Sequence, residues 1–153
     1  MENYKDVLEK AREVIHCKGG LPAKLKVITK ILRTSVPYYD WVGFYLVDAN
    51  NPDELVLGPF SGIPTEHGRI PVGKGICGQA AEKREMLVVQ DVAAEKNYLS
   101  CHPDVKSEIV APIFKGNKIV GEIDIDSHTA APFTDEDRRL LKELCQNLSE
   151  IFE

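Results

Sequence analysis

The sequence lacks the features that mark membrane-spanning and secreted proteins. No uninterrupted apolar run in its 153 residues approaches the ~20 residues needed to cross a bilayer. The first six residues contain neither the basic segment nor the apolar core of a signal peptide. A net charge of −5 gives no general attraction for nucleic acid or for an anionic membrane. These absences predict a cytoplasmic globular protein that binds neither nucleic acid nor a membrane.

Cysteine is sparse, and its spacing fits neither a disulfide scaffold nor a common metal motif. There is no CxxC or HExxH pattern, and the four histidines are scattered. We therefore expect no metal and no cofactor. Cys145 lies on the apolar stripe of a predicted helix and is expected to be a buried small hydrophobe, and no role is assigned to Cys17. The remaining cysteines, Cys77 and Cys101, are the candidates for chemistry.

The hydrophobic pattern predicts a single α+β domain over residues 1–153. Helical spacing predicts long helices near residues 4–15, after Pro22, and after Thr134, which is a typical N-cap residue. Two pairs of strands are also predicted, the first at residues 41–47 and 55–60 and the second at residues 109–114 and 119–125. Between the two pairs we predict a short helix at residues 75–84 and a short strand at residues 87–89. This order predicts an antiparallel sheet with helices packed on one face.

Cys77 and Cys101 stand in different local settings. Cys77 lies at the predicted start of the short helix, where the positive end of the helix dipole and nearby Lys74 favour a thiolate. The glycines around Cys77 could equally serve a tight turn in which the thiol only packs. Cys101 precedes His102 in the 16-residue segment 91–106, and loops of this length are often functional. Adjacency along the chain does not ensure contact in space, so both interpretations of Cys101 stay open.

Acidic residues alternate with isoleucines in the second predicted hairpin. Glu122, Asp124 and Asp126 share one strand face, which we expect to be solvated, although it could offer carboxylates to a cationic or protonatable ligand. A regular two-residue turn at residues 116–117 would put Glu108 on the opposite face from Asp124 and Asp126. A bulge or an odd loop would instead pair Glu108 with Asp126. We therefore predict an irregularity in this hairpin.

Two aromatic residues share a face of the first predicted strand. Trp41 and Tyr45 lie on either side of Gly43. The missing side chain could leave space for a small group such as a methyl, which would lie beside aromatic rings. Ordinary packing of the strand against a helix is an equally good interpretation.

Five motifs, taken together and in order, resemble the GAF-domain free methionine-(R)-sulfoxide reductases. They are Trp41-Val42-Gly43-Phe44-Tyr45, Leu55-Val56-Leu57-Gly58-Pro59-Phe60, Arg69-Ile70-Pro71 leading to Gly73, Gly75, Cys77 and Gly78, Ser107-Glu108-Ile109-Val110, and Asp124-Ile125-Asp126-Ser127. The match runs from about Trp41 to the C-terminus, and the combination is far more specific than a general GAF pattern. The resemblance implies a GAF-like fold.

The resemblance also implies an activity, the reduction of free L-methionine-(R)-sulfoxide to L-methionine. In that family the cysteine at the position of Cys101 attacks the sulfoxide sulfur and becomes a sulfenic acid. A second cysteine condenses with it to a disulfide, and thioredoxin restores both thiols. The family also implies a homodimer. The residues implied to bind substrate are Trp41 and Tyr45 at its methyl end, and Glu108, Asp124 and Asp126 at its polar groups, where they assist protonation of the sulfoxide oxygen.

One position departs from the family pattern. Most members carry a first cysteine two residues before the arginine of the Arg-Ile-Pro motif, and here His67 stands there beside an apparent one-residue insertion. We expect Cys77 to act as the resolving cysteine and Cys101 as the nucleophile, although the two roles could be reversed. The alternative is that the protein has lost catalytic turnover and is a GAF module that senses a small molecule and performs no chemistry.

Overall fold

The computed structural model of the protein describes residues 3–100 and 102–153, so Cys101 lies outside the described residues. Its centre is an antiparallel six-stranded sheet in the order β3-β2-β1-β6-β5-β4. The strands are β1 (Trp41–Val47), β2 (Glu54–Ser61), β3 (Arg69–Pro71), β4 (Leu87–Val89), β5 (Ser107–Lys115) and β6 (Lys118–Ser127). The helices are α1 (Tyr4–His16), α2 (Leu21–Ser35), α3 (Gly75–Lys83) and α4 (Asp135–Leu148). The predicted α+β class is confirmed.

Three long helices cover one face of the sheet. Alternating apolar residues of the central strands, among them Phe44, Ile123 and Ile125, are fully buried beneath α1, α2 and α4. α4 begins where predicted, because the Thr134 side chain caps its first turn and Asp137 completes a capping box. No helix in residues 3–100 and 102–153 is long and apolar enough to span a membrane.

The opposite face has its own cover, which the sequence prediction of helices on one face left out. The short helix α3 packs there through Ile76, Cys77 and Ala80, against a smaller apolar cluster that includes Trp41 and Tyr45. Strand β3 also escaped prediction, because three residues are too few to show a period. As a result the sheet is buried on both faces, and polar side chains that point away from the long helices are buried as well.

The hairpin of β5 and β6 contains the predicted irregularity. Lys115 pairs with Lys118 across a two-residue turn, but the register shifts by one between Ile113 and Phe114. Beyond this bulge Glu108 pairs with Asp126. The prediction is confirmed, and its consequence is that the acidic residues of both strands share one face.

A buried carboxylate ties the N-terminal and C-terminal helices to the chain that enters β1. Asp137 of α4 is fully buried and accepts hydrogen bonds from the hydroxyl groups of Tyr4, Tyr38 and Tyr39. It also accepts one from the backbone N–H of Thr134 at 2.8 Å. This network gives the buried carboxyl group its hydrogen-bond partners, and it ties α1 and α4 to the chain that enters β1.

Candidate active site

A row of four carboxyl groups lies on the face of the sheet that α3 covers. Glu122, Asp124 and Asp126 of β6 are 0, 1 and 2% exposed, and Glu108 of β5 is 5% exposed. The expectation of a solvated face is therefore wrong. The reason is that α3 packs over these strands. The acidic residues alternate with apolar ones as in a strand with one face in solvent, but the helix buries the acidic face.

The carboxyl groups lie next to the Cys77 thiol. Cys77 is 3% exposed, and its Sγ lies 3.9 Å from Oε2 of Glu108. Sγ of Cys77 and one carboxylate oxygen each of Glu108 and Asp124 all lie within 4.8 Å of one another. Three residues that are distant in sequence thus form one compact cluster of a thiol and two carboxyl groups.

Several oxygens in this row receive no hydrogen bond of ordinary geometry from the described residues. They are both side-chain oxygens of Glu122, and Oδ1 of Asp124 and of Asp126, and all four are buried. Burial raises the pKa of Glu122, Asp124 and Asp126 above their ordinary values. The charge of Asp124 raises the pKa of Glu122 and of Asp126 further. Glu122, Asp124 and Asp126 therefore favour their protonated forms, and carboxylic acids of this kind can donate protons.

The environment of Cys77 is the reverse of the thiolate setting, which was one of the two interpretations that the sequence left open. Burial raises the pKa of its thiol well above the ordinary value, and the charges of Asp124, Glu122, Glu108 and Asp126 raise it further. Lys74, which was expected to favour the thiolate, is exposed. The dipole of a nine-residue helix is too weak to outweigh full burial beside four carboxyl groups. Burial and the neighbouring carboxyl groups therefore both favour the protonated thiol at Cys77.

Trp41 and Tyr45 share a face as predicted, but the space over Gly43 is filled. A Cβ built on Gly43 would lie 2.3 Å from a ring carbon of Trp41, so the indole lies directly over this glycine. The ring also stacks on Phe60 at a centroid distance of 5.6 Å. The slot at Gly43, one of the two interpretations that the sequence left open, is absent from the described residues, because the indole itself takes up the room that the missing side chain leaves.

Both aromatic residues contact the segment that precedes β3. The indole N–H of Trp41 donates to the carbonyl of Ile63 at 2.9 Å. The Tyr45 hydroxyl donates to the carbonyl of His67 at 2.8 Å. β1 thereby positions residues 62–68 along the acidic row, because Trp41 pairs with Asp126 and Tyr45 pairs with Glu122 across the sheet.

The segment 91–100 is held against the start of α3 by side-chain amides. Asn97 accepts from the N–H of Gly75 and donates to the carbonyl of Gly73, both at 2.8 Å. Gln79 donates to the carbonyl of Asn97 at 2.8 Å. His67 contacts the carbonyl of Ser100 through Nε2 at 2.9 Å. The residue before Cys101 is therefore held beside the position where the family pattern has its first cysteine.

A small cavity opens between the residue after Cys101 and the sheet. Its volume is about 80 Å³, and Trp41, Asp126, His102 and His128 are among the residues that line it. A water molecule takes up about 30 Å³ of liquid, so the cavity has room for two or three. His102 thus brings the chain that follows Cys101 to the end of the row where Trp41 and Asp126 meet.

Comparison with known proteins identifies the fold family. A family model described as GAF domain matches residues 21–151. The chain belongs to the GAF-domain family. Free methionine-R-sulfoxide reductase of Escherichia coli is 34% identical over 150 residues, which cover 98% of this chain and 88% of that protein.

Two solved structures extend this family relationship to the whole fold. Free methionine-R-sulfoxide reductase from Neisseria meningitidis, in complex with its substrate, matches with a TM-score of 0.91 at 38% identity and covers 97% of this chain and 87% of that one. The fRMsr of Staphylococcus aureus in complex with substrate matches with a TM-score of 0.89 at 36% identity, over 100% of this chain and 97% of that one. This GAF domain therefore falls among the free methionine-R-sulfoxide reductases.

Sequence reasoning missed three contributors to the site of this GAF domain. Glu122 was noted in the acidic row but given no role, although the same alternation that marked Asp124 and Asp126 includes it. Asn97 and Gln79 hold the long segment through backbone carbonyl and N–H groups. Nothing in their local sequence marks such contacts, because the partners become neighbours only after α3 has packed.

Proposed function

We propose that this chain reduces free L-methionine-(R)-sulfoxide to L-methionine. The observation on which the proposal rests is the buried acidic row of Glu108, Glu122, Asp124 and Asp126, with Trp41 at its end. The row supplies proton donors for the sulfoxide oxygen, and Trp41 supplies an aromatic surface for the adjacent methyl group. The family relationship supports the same substrate.

The acidic row is suited to the difficult part of this reaction. A neutral S=O group is a poor electrophile until its oxygen is protonated, and a carboxylic acid with a raised pKa supplies that proton near neutral pH. We assign this role to Asp124 and Asp126, with Glu108 assisting, and all three bind the polar groups of the substrate. Trp41 and Tyr45 hold its methyl end. Entry of the substrate requires the cover over the 80 Å³ cavity to open.

In the proposed chemistry Cys101 is the nucleophile. Its thiolate attacks the sulfoxide sulfur, the oxygen takes up a proton, and methionine leaves as the oxygen passes to the cysteine as a sulfenic acid. The substrate sulfur gains two electrons, which the cysteine sulfur loses. Support comes from the neighbours of Cys101, since Ser100 contacts His67 and His102 lines the cavity beside Trp41 and Asp126.

Cys77 is proposed as the resolving thiol. It condenses with the sulfenic acid to form a disulfide and one water molecule, and a thioredoxin dithiol then reduces the disulfide by exchange. The buried thiol is a weak nucleophile while it is protonated, so the neighbouring carboxylate of Glu108 is assigned as the group that accepts its proton. Such a cycle needs a reducing compartment, and we place the protein in the cytoplasm.

The family resemblance is also the ground for proposing a homodimer. Analytical ultracentrifugation of the reduced protein measures the mass directly. A sedimenting mass of one chain at every concentration tested would refute this part of the proposal.

Single-turnover assays of two serine variants test the reductase proposal. The reduced Cys101→Ser protein is expected to release no methionine from L-methionine-(R)-sulfoxide. The Cys77→Ser protein should release about one methionine per chain and then stop, because its sulfenic acid has no resolving partner. The Cys145→Ser protein is the matched control, since that thiol lies on the other face of the sheet, and it should turn over repeatedly with thioredoxin.

Other outcomes of these assays have equally definite meanings. A burst retained in Cys101→Ser and lost in Cys77→Ser would reverse the two cysteine roles. Binding of the sulfoxide by the unmodified protein without any methionine release would refute the reductase and favour a GAF module that senses the ligand.

A further inference from the structure

The indole of Trp41 lies against two glycines and stacks on a third residue, Phe60. A Cβ built on Gly43 or on Gly62 would lie 2.3 or 2.6 Å from an atom of the indole. Both positions thus give the indole room, and neither offers a side chain that could hold it. The ring of Phe60 does offer one, at a centroid distance of 5.6 Å and an interplanar angle of 17°. The plane of Phe60 therefore sets the plane of the aromatic surface assigned to the methyl end of the substrate.

The strand that carries Phe60 pairs irregularly just before this residue. Phe60 pairs with Gly43 of β1. The next pair along the ladder joins Tyr45 to Leu57, which leaves one extra residue in β2 and shifts the register there. Pro59 lies inside this irregular stretch and has no N–H to donate to the ladder. Strand pairing therefore holds Phe60 less firmly than the middle of the sheet, and contacts from outside the ladder matter more.

One turn of α2 supplies such contacts through two side chains. The ammonium group of Lys26 donates a hydrogen bond to the backbone carbonyl of Phe60, and it lies 5.5 Å from the centroid of the Phe60 ring. A cation at this distance over a ring is attracted by the negative face of the π-system. The hydroxyl groups of Thr29 and Ser61 form a buried hydrogen bond of 2.9 Å. Because residues three apart share a helix face, Lys26 and Thr29 together hold two consecutive residues of β2.

We propose that Lys26 is a positioning residue for the substrate site: it holds the backbone and the ring of Phe60, and Phe60 in turn holds the indole of Trp41. Lys26 is an exposed residue of α2, outside the acidic row and outside the five motifs that carry the family resemblance. The proposal rests on the proposed reductase, because it concerns the residue assigned there to the methyl end of the substrate.

The expected effect of Lys26 is on substrate binding and not on the chemical step. An exposed cation–π contact changes an equilibrium constant by a factor of about 2 to 5. Loss of the ammonium group lets the Phe60 ring and the indole leave their stacked arrangement, which weakens the surface for the methyl group. KM for the sulfoxide should therefore rise about 2- to 5-fold. The value of kcat should stay the same, because the proton donors and the cysteines are untouched.

Tryptophan fluorescence tests the positioning in the absence of substrate. Trp41 is the only tryptophan of the chain, so the quenching of its emission by acrylamide reports on this indole alone. Lys26→Met removes the ammonium group and keeps an unbranched side chain, and acrylamide should quench this variant more strongly than the unmodified protein. Lys26→Arg keeps a cation and its N–H donors, so its quenching should match that of the unmodified protein. Lys30→Met is the control, since it removes an exposed lysine one turn further along α2.

Steady-state kinetics of the same variants show whether the indole position affects the substrate. The rise in KM expected for Lys26→Met should be absent from Lys26→Arg and from Lys30→Met. In a Phe60→Leu background, Lys26→Met should raise KM no further, because the ring through which the lysine acts is gone. Circular dichroism checks that each variant is folded.

Three outcomes would overturn the proposal. The first is an unchanged KM or unchanged quenching in Lys26→Met, even if urea unfolding shows that the variant is less stable. The second is an equal change in Lys30→Met. The third is an undiminished rise in KM when Lys26→Met is added to Phe60→Leu. If the unmodified protein released no methionine, the reductase proposal would fail, and the quenching comparison would still decide whether Lys26 positions Trp41.

Discussion

At the scale of single residues, Gly43 determines where the indole of Trp41 can lie. The glycine pairs with Asp124 of β6 and carries the Trp41 ring over its Cα. Any side chain at position 43 would therefore lift the ring away from the acidic row. The proposed methyl-binding surface thus depends on a residue that contributes no atoms beyond its backbone.

The Gly43→Ala variant tests this dependence. A Cβ at 2.3 Å from the ring forces the indole to move, and overpacking of this kind costs about 1–3 kcal/mol of the free energy of unfolding. We expect that loss in urea unfolding, together with a raised KM for the sulfoxide in the steady-state assay. Gly68→Ala is the matched control, because a Cβ there meets nothing within 4 Å. Equal KM values in all three proteins would remove Trp41 from the binding site.

At the scale of elements, the segments 62–68 and 91–100 meet through His67 and Ser100. The family pattern places its first cysteine at position 67, so the contact shows that this position adjoins the residue before Cys101. A thiol at position 67 would therefore lie beside Ser100, the residue that precedes the proposed nucleophile in the sequence.

The double variant Cys77→Ser/His67→Cys tests whether position 67 can take over the resolving role. The Cys77→Ser protein should lose one thiol per chain on reaction with the sulfoxide. The double variant should lose two thiols per chain, because the added cysteine forms the disulfide. Free thiols counted after the reaction give the result. Glu66→Cys in the same Cys77→Ser background is the control, since that exposed neighbour makes no hydrogen bond to Ser100 among the described residues. The proposed geometry would be contradicted if the Glu66→Cys control lost a second thiol and the His67→Cys variant did not.

The elements themselves were largely predictable from sequence. Strand β1 and helix α4 begin where aromatic and β-branched content and the Thr134 cap indicate. Even the bulge in the hairpin of β5 and β6 followed from requiring Glu108 to face Asp126. The site was less predictable, because the burial of Glu122 and the protonated state of Cys77 depend on α3 packing over the sheet. Local sequence describes only the period of a strand and not what covers it.

At the scale of the whole molecule, the acidic row should lower stability as the pH rises. Burial raises the pKa of Glu122 in the folded chain, so the folded state keeps a proton that the unfolded state loses above about pH 4.3. Because the unfolded state then binds fewer protons, the free energy of unfolding falls with rising pH, by up to about 1.4 kcal/mol per pH unit for each such proton. The fall ends once the pH exceeds the pKa in the folded state.

The Glu122→Gln variant isolates this contribution. Its stability relative to the unmodified protein should rise between pH 5 and pH 8, because the neutral amide has no proton to lose. Urea unfolding of both reduced proteins at several pH values gives the difference. Glu143→Gln changes an exposed carboxylate, and its difference should stay nearly flat. A flat difference for Glu122→Gln as well would mean that the buried acid does not retain its proton.

The central claim, that the GAF domain is a two-cysteine sulfoxide reductase, can be tested in one measurement on the unmodified protein. The fully reduced chain, with its four cysteines, is mixed with L-methionine-(R)-sulfoxide in the absence of any reductant. Methionine released and free thiols remaining are then counted per chain. The account predicts one methionine formed and two thiols lost. Four intact thiols with no methionine released would contradict it.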